Sequence, residues 1–171
     1  MIVIQTTLDR RAMTALARVS RKTLRRGRSS PVRLLAWFVV LVEGFLTAVY
    51  IRGGQSGWGT NLLLAAIMLA AILGEDPVSG ALALRGIPSG SREVNAAFQD
   101  ESCYVLRTQS GEEWRLYQQI LLAAETRDYF VLFQDRRSGR IFDKKGFTWG
   151  TPEEFRALIQ KKTGLKIQPV R

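Results

Sequence analysis

Two apolar stretches separated by a glycine-rich link constrain this chain more than any other feature. The first, LLAWFVVLVEGFLTAVYI, runs from Leu34 to Ile51 and carries a single charge, Glu43. As a helix it would rise about 27 Å, close to the ~30 Å of a bilayer's hydrocarbon core. The second, NLLLAAIMLAAIL, runs from Asn61 to Leu73. Counted from Trp58 to Gly74 it reaches seventeen residues, the short end of what a crossing needs. Arg52-Gly53-Gly54-Gln55-Ser56-Gly57 joins the two as a turn-forming link. Neither stretch shows a polar stripe at helical period, and the rest of a 171-residue chain is too small to surround two all-apolar helices. A cleaved leader does not fit either, because the lead-in is too long for an n-region and the first stretch too long for an h-region. The expectation is a transmembrane hairpin: helix 1 over 33–51, a short external link over 52–57 and helix 2 over 58–74. Glu75-Asp76-Pro77, expensive in lipid and poor for helix continuation, sets the stop.

Charge orients the hairpin. The chain holds 25 Lys and Arg against 15 Asp and Glu, a net +10, but unevenly. Residues 1–33 carry nine of the bases and one acid, Asp9, so the basicity is a local tag. Only Arg52 lies in the link, while Arg85 and Arg92 follow the second stretch. By the positive-inside rule both termini are expected in the cytoplasm. Trp37, Tyr50 and Trp58 fall near the ends of the two helices, where aromatic belts lie.

The remaining composition excludes several chemistries. No histidine is present, which removes Ser-His and Cys-His mechanisms and most zinc sites. One cysteine, Cys103, excludes an internal disulfide, and its strand-like surroundings read as a buried structural thiol. Glu112-Glu113, Asp100-Glu101 and Glu153-Glu154 are adjacent pairs that point apart or cap elements, without the convergence that acid–base catalysis requires. The expectation is a protein that is not an enzyme and holds no cofactor.

Around the hairpin, local pattern suggests the elements. Met1–Thr6 reads as a short strand, and Leu8, Ala12, Leu16 and Val19 mark a basic amphipathic helix in a separate cytoplasmic segment, 1–32. After Pro77, apolar runs alternate with turn signals. Strands are expected at Ala81–Ile87, Val94–Gln99, Cys103–Thr108, Leu121–Thr126, Tyr129–Gln134 and Arg140–Asp143, with Trp114–Ile120 either strand or helical turn. Thr151-Pro152-Glu153-Glu154 opens a helix with a cap residue, proline at its first position and two early acids; Lys161, Lys162 and Gly164 close it.

The run Trp114-x-x-Tyr117-x-x-Ile120, then Glu125-Thr126-x-Asp128-Tyr129-Phe130-x-Leu132, then Asp143-Lys144-x-x-Phe147 and Phe155, resembles the YcxB-like C-terminal domain of bacterial membrane proteins. Those proteins are similar in layout, with a basic N-terminal segment, two transmembrane helices and a cytoplasmic β-rich domain. The resemblance is strongest over about residues 92–160. It departs at Phe142-Asp143-Lys144, where the family usually has an apolar residue and proline before the lysine. It implies an α+β membrane protein of the bacterial inner membrane whose 78–171 domain is a small PH-like antiparallel β fold closed by a C-terminal α-helix. It implies no catalytic residues.

Three features carry candidate chemistry. Glu43, midway along an apolar helix, is either a proton or cation site of an oligomeric transport or channel subunit, or a structural contact. Thr47, Asn61 or a second copy of the chain would satisfy that contact. The basic N-terminal helix suits anionic lipid headgroups better than nucleic acid, since residues 5–33 lack stacking aromatics and any recognised motif. Arg136, Arg137, Arg140, Lys144 and Lys145 cluster around an expected hairpin, as an anionic-partner patch or a solvated turn. The leading expectation is a membrane-anchored module that binds a lipid headgroup or an unidentified protein partner.

Overall fold

The computed structural model of the protein describes residues 1–24, 30–54, 56–99, 102–135 and 138–170, with the side chains of 30–33 left aside. Arg25, Arg26 and Arg28 of the basic segment, the Asp100-Glu101 turn, and Arg136 and Arg137 lie outside them. Among the described residues the protein is α+β, with four α-helices and two β-sheets. The chain divides into two units, Arg25–Asp76 and a second built from Met1–Leu24 together with Pro77–Arg171.

Helix α2 spans Ser30–Arg52, and α3 begins at Trp58. The first unit holds α2 and the part of α3 up to Asp76. Both helices are long and apolar enough to cross a membrane, over Leu34–Arg52 and within Trp58–Arg85. Only 6% of either span is buried, so neither is packed as the core helix of a soluble fold would be. Helix α3 does not stop at Gly74. It continues through Glu75, Asp76 and Pro77 to Arg85, 28 residues in all, and absorbs the strand expected at Ala81–Ile87. The alternation of Ala and Leu over Ala81–Leu84 suits helix better than strand, and the high helix propensity of both residues decides the matter. A helix of that length rises about 42 Å, more than a bilayer core of ~30 Å accommodates without tilt.

The second unit contains the two sheets. Strand β1 is Ile2–Thr7, and α1 follows at Arg10–Thr23. After the apolar helices come β2 (Glu93–Phe98), β3 (Cys103–Thr108) and β4 (Gly111–Leu116), then β5 (Leu122–Glu125), β6 (Tyr129–Phe133) and β7 (Gly139–Asp143). Strand β8 (Phe147–Trp149), helix α4 (Pro152–Thr163) and the two-residue β9 (Gln168–Pro169) complete the order. Trp114–Ile120 is strand as far as Leu116 and then a 3-10 turn over Tyr117–Gln119.

One sheet has the order β4-β3-β2-β1-β8 and the other β7-β6-β5-β9. The N-terminal residues therefore are not a segment separate from the 78–171 domain. Strand β1 lies inside the larger sheet, antiparallel to β2 with Ile2 opposite Phe98 and Thr7 opposite Glu93, and flanked on its other side by β8. Ile2, Ile4 and Thr6 alternate onto the core face and are buried, which is why β1 takes this place.

The core between the sheets is aromatic. Phe98 stacks on Tyr104 at 4.9 Å between centroids and meets Phe155 edge-on at 4.9 Å. Phe155 also lies 4.8 Å from Phe130, so α4 drives one ring among those of both sheets. The cap holds that helix in place: Glu154 N donates to Thr151 Oγ1 (3.2 Å) and Thr151 N to Glu154 Oε2 (3.0 Å). Gly164 ends it in the left-handed conformation at φ 68°. On the far side of the smaller sheet, Ala12, Leu16 and Val19 of α1 lie on Val131, Phe133 and Ile141. Asp9 caps α1, accepting from Ala12 N at 2.7 Å. Near the end of α3, Gly80 approaches α1 so closely that an added Cβ would sit 2.7 Å from Thr14 N.

These contacts predict what the unit needs in order to fold. A chain in which residues 25–76 are replaced by a Gly/Ser linker of about twelve residues, with a root-mean-square reach of about 17–20 Å, should be soluble. It should also unfold cooperatively by circular dichroism. Removing residues 1–7 from that chain should abolish the transition, whereas an unchanged melting midpoint would show that β1 is not part of the fold.

Candidate functional site

Glu43 is the fourteenth of α2's 23 residues, near the middle of the apolar span. Its Oε2 atom is buried, and no hydrogen-bond partner reaches it among the described residues. Thr47, one turn on, does not satisfy the carboxylate: its hydroxyl donates instead to the Glu43 backbone carbonyl oxygen at 2.7 Å. On the neighbouring position Gly44 leaves open space, since a Cβ there would meet nothing within 4 Å. The site is a lone carboxylate oxygen inside an otherwise apolar helix.

Of the expected basic patch, the three described cations do not share one surface. Arg136 and Arg137 lie outside the described residues. The other three cations turn to three different neighbourhoods. Arg140, on β7, donates from Nη2 to Glu113 Oε2 at 2.8 Å. Glu113 also accepts from Arg115, whose Nη1 reaches Gln134 Oε1 at 2.8 Å. One carboxylate on β4 thereby ties the edge strand of the larger sheet to the edge strand of the smaller one. Lys144 is mostly buried and spans from β7 toward β5, donating to Glu125 Oε1 and to the Thr126 carbonyl, both at 2.6 Å. Its ammonium also sits 5.0 Å from the Phe130 ring centroid. Lys145 alone is exposed, lining an open depression of about 750 Å³ with Arg11, Arg18, Arg127, Asp9 and Asp143. Acids interleave with bases there, which weakens it as an anion cradle.

Glu125 is the centre of the second ionic cluster. It receives Lys144 on one oxygen and bidentate donation from Arg156, Nε at 2.9 Å and Nη2 at 2.8 Å. Arg156 holds Glu153 as well, at 2.9 Å. The Arg156 guanidinium first, and then Lys144, lower the Glu125 carboxyl below its ordinary value against an opposing desolvation. The same pairings raise Arg156. Deeper in the unit, burial pushes the Tyr104 phenol up to about 12, and its hydroxyl has no hydrogen-bond partner among the described residues.

One further cavity, of about 420 Å³, lies between α1, the β3–β4 hairpin and β7, with Leu16, Leu106, Ile141 and Phe142 in its walls and Glu113 and Arg140 beside them. Its charged groups are already paired, Glu113 with Arg140 and Glu112 with Arg107. Among the described residues no group of three or more His, Cys, Asp or Glu side chains is placed to share a metal ion. What sequence reasoning missed is the pairing of the cations. Glu113 and Glu125 stand 27 and 19 residues from their partners Arg140 and Lys144, so no local pattern announces them.

Comparison with known proteins adds no relative: no protein-family model, no curated protein and no solved structure matches the chain.

The Glu125 cluster has a definite pH signature. A carboxylate whose folded pKa is depressed contributes stability above its unfolded value, lost as pH falls through the folded value. Glu125→Gln should destabilise the sheet unit by about 1–3 kcal/mol at pH 7. In urea titrations the gap from the parent should close as pH falls below the ordinary carboxylate value of 4.5. A gap that stays constant down to pH 3 would mean the ion cluster contributes nothing.

Proposed function

We propose that this protein is a non-enzymatic, membrane-anchored interaction module of the bacterial inner membrane, in which a two-helix hairpin holds a PH-like cytoplasmic domain at the inner leaflet. One observation carries the reading. Strand β1 precedes both apolar helices, β2 follows them, and the two pair along six residues of one sheet. Residues on either side of the hairpin are therefore on one face of any membrane, which requires an even number of crossings. Two helices of sufficient length and apolarity supply that number. The nine bases ahead of the first apolar span, against Arg52 alone at its far end, favour the cytoplasm for the common side. Two sheets, antiparallel except for the short parallel β9, closed by an aromatic-bearing C-terminal helix are what a PH-like domain would require, and the resemblance to YcxB-like domains agrees with it.

Topology is directly measurable. In a Cys103→Ser background, Ser56→Cys in the link should react with a membrane-impermeant maleimide added outside spheroplasts. Lys145→Cys should react only after the membrane is opened. Labelling of both from the outside would overturn the cytoplasmic assignment.

The lone Glu43 oxygen favours a second reading, an oligomeric transport or channel subunit that uses this carboxylate. On that reading the full chain in liposomes should carry a proton flux that Glu43→Leu abolishes. On the leading reading, parent and variant are equally silent in a pH-sensitive dye assay and bind partners equally.

A further inference from the structure

The two sheets are covered differently. The smaller one has the aromatic core on one face and α1 on the other. Among the described residues the larger one has the core on one face only. Its outer face carries a row that crosses all five strands in register: Trp149 opposite Val3, Val3 opposite Ala97, Ala97 opposite Val105, and Val105 opposite Trp114. The two tryptophans are 66% and 61% exposed, while Ala97 and Val105 lie low between taller neighbours. An apolar row of this kind on a soluble face marks a contact surface rather than ordinary exposure.

We infer that this outer face binds a second copy of the chain, sheet against sheet, about a two-fold axis running along β2. The row reads the same from either end, Trp-Val-Ala-Val-Trp. A two-fold along its central strand lays β4 on the partner's β8 and β3 on the partner's β1, so Trp meets Trp, Val meets Val and Ala97 meets itself. The adjacent polar row obeys the same operation. Asn95 meets its own copy, and Arg107 meets the glutamine at position 5, a donor against an acceptor. Arg107 is already paired with Glu112 at 2.8 Å, so this row is locally neutral in a protein of net charge +10, and two copies can approach there without repulsion. The area is adequate. Four six-residue strands about 20 Å long and the three-residue β8, spaced about 4.8 Å apart, present on the order of 400 Å² in projection, and more in accessible area, against ~800 Å² per partner in a standard interface. The inference rests on the sheet alone and is independent of whether the hairpin crosses a membrane.

The test uses the full chain in detergent micelles and in nanodiscs. Mass photometry should find a dimer, and Trp114→Glu with Trp149→Glu should raise its dissociation constant at least about a hundredfold. The circular dichroism spectrum should stay native, since both side chains are exposed. In a Cys103→Ser background, Ala97→Cys should crosslink to itself with a short bismaleimide. Val3→Cys should crosslink with Val105→Cys and not with itself. A monomeric parent, a dimer indifferent to the tryptophan changes, or self-reaction of Val3→Cys as strong as its reaction with Val105→Cys would each overturn the inference.

Discussion

The structure depends on one non-local pairing, that of β1 with β2 across residues 8–92. Closing so long a connection carries an entropic penalty, but a slowly growing one. Relative to a tight hairpin of about five residues it is four doublings of loop length, or ~2.4 kcal/mol for a flexible chain. Burying Ile2 and Ile4, at about 1.5–3 kcal/mol each, offsets that before any ladder hydrogen bond is counted. With β1 in place, β8 has a neighbour to pair with and the aromatic core has its wall. Without it, β2 would face β8 across an empty strand position. The insertion of two apolar helices into the middle of a sheet is tolerated for this reason.

The same pairing marks where sequence reasoning reaches its limit. Cys103–Thr108 and the capped helix at Thr151 were legible because each is specified locally, one by alternation and the other by a cap, a proline and a closing glycine. The two apolar helices were legible by length. Membership of β1 in the sheet was not, because six alternating residues do not say which strand they join, and sequential neighbours are the usual partners. The end of α3 failed for a related reason: a short Ala-Leu alternation has the period of a strand, and the helix propensity of both residues, with a helix already running into them, outweighs it. At the candidate site, Glu43 was legible as a charge in an apolar run, but that its Oε2 meets no hydrogen-bond partner among the described residues was not, since Thr47 stands at the right spacing and turns to the backbone.

Cations that look free in sequence prove to be fasteners. Glu113 joins the free edges of the two sheets through Arg115 and Arg140, and Glu125 joins β5 to the end of β7 and to α4. These links sit at sheet edges and beneath the C-terminal helix, and most are partly shielded from water. Shielding lets them contribute more than surface pairs do, yet removing one partner strands the other. A strip of arginines and lysines on a small sandwich therefore says little about an anionic ligand until each has been matched against distant acids.

The fate of α1 follows the same logic and narrows how the protein can touch lipid. An amphipathic helix that lies in a membrane interface needs its apolar stripe free to enter the acyl boundary. Here Ala12, Leu16 and Val19 are already engaged with Val131, Phe133 and Ile141, and their burial closes the outer face of the smaller sheet. Pulling α1 away to insert it would expose that face to water, at about 25 cal/mol for each Å² of apolar surface uncovered. What α1 leaves outward are arginines, among them Arg10, Arg11 and Arg18. Any attraction of this segment to an anionic leaflet is then electrostatic, about 1 kcal/mol per base near the surface and screened beyond a Debye length of about 8 Å at physiological salt. A basic helix that serves as the lid of a sheet can orient a domain over charged lipid, but with its apolar stripe already engaged it cannot anchor it.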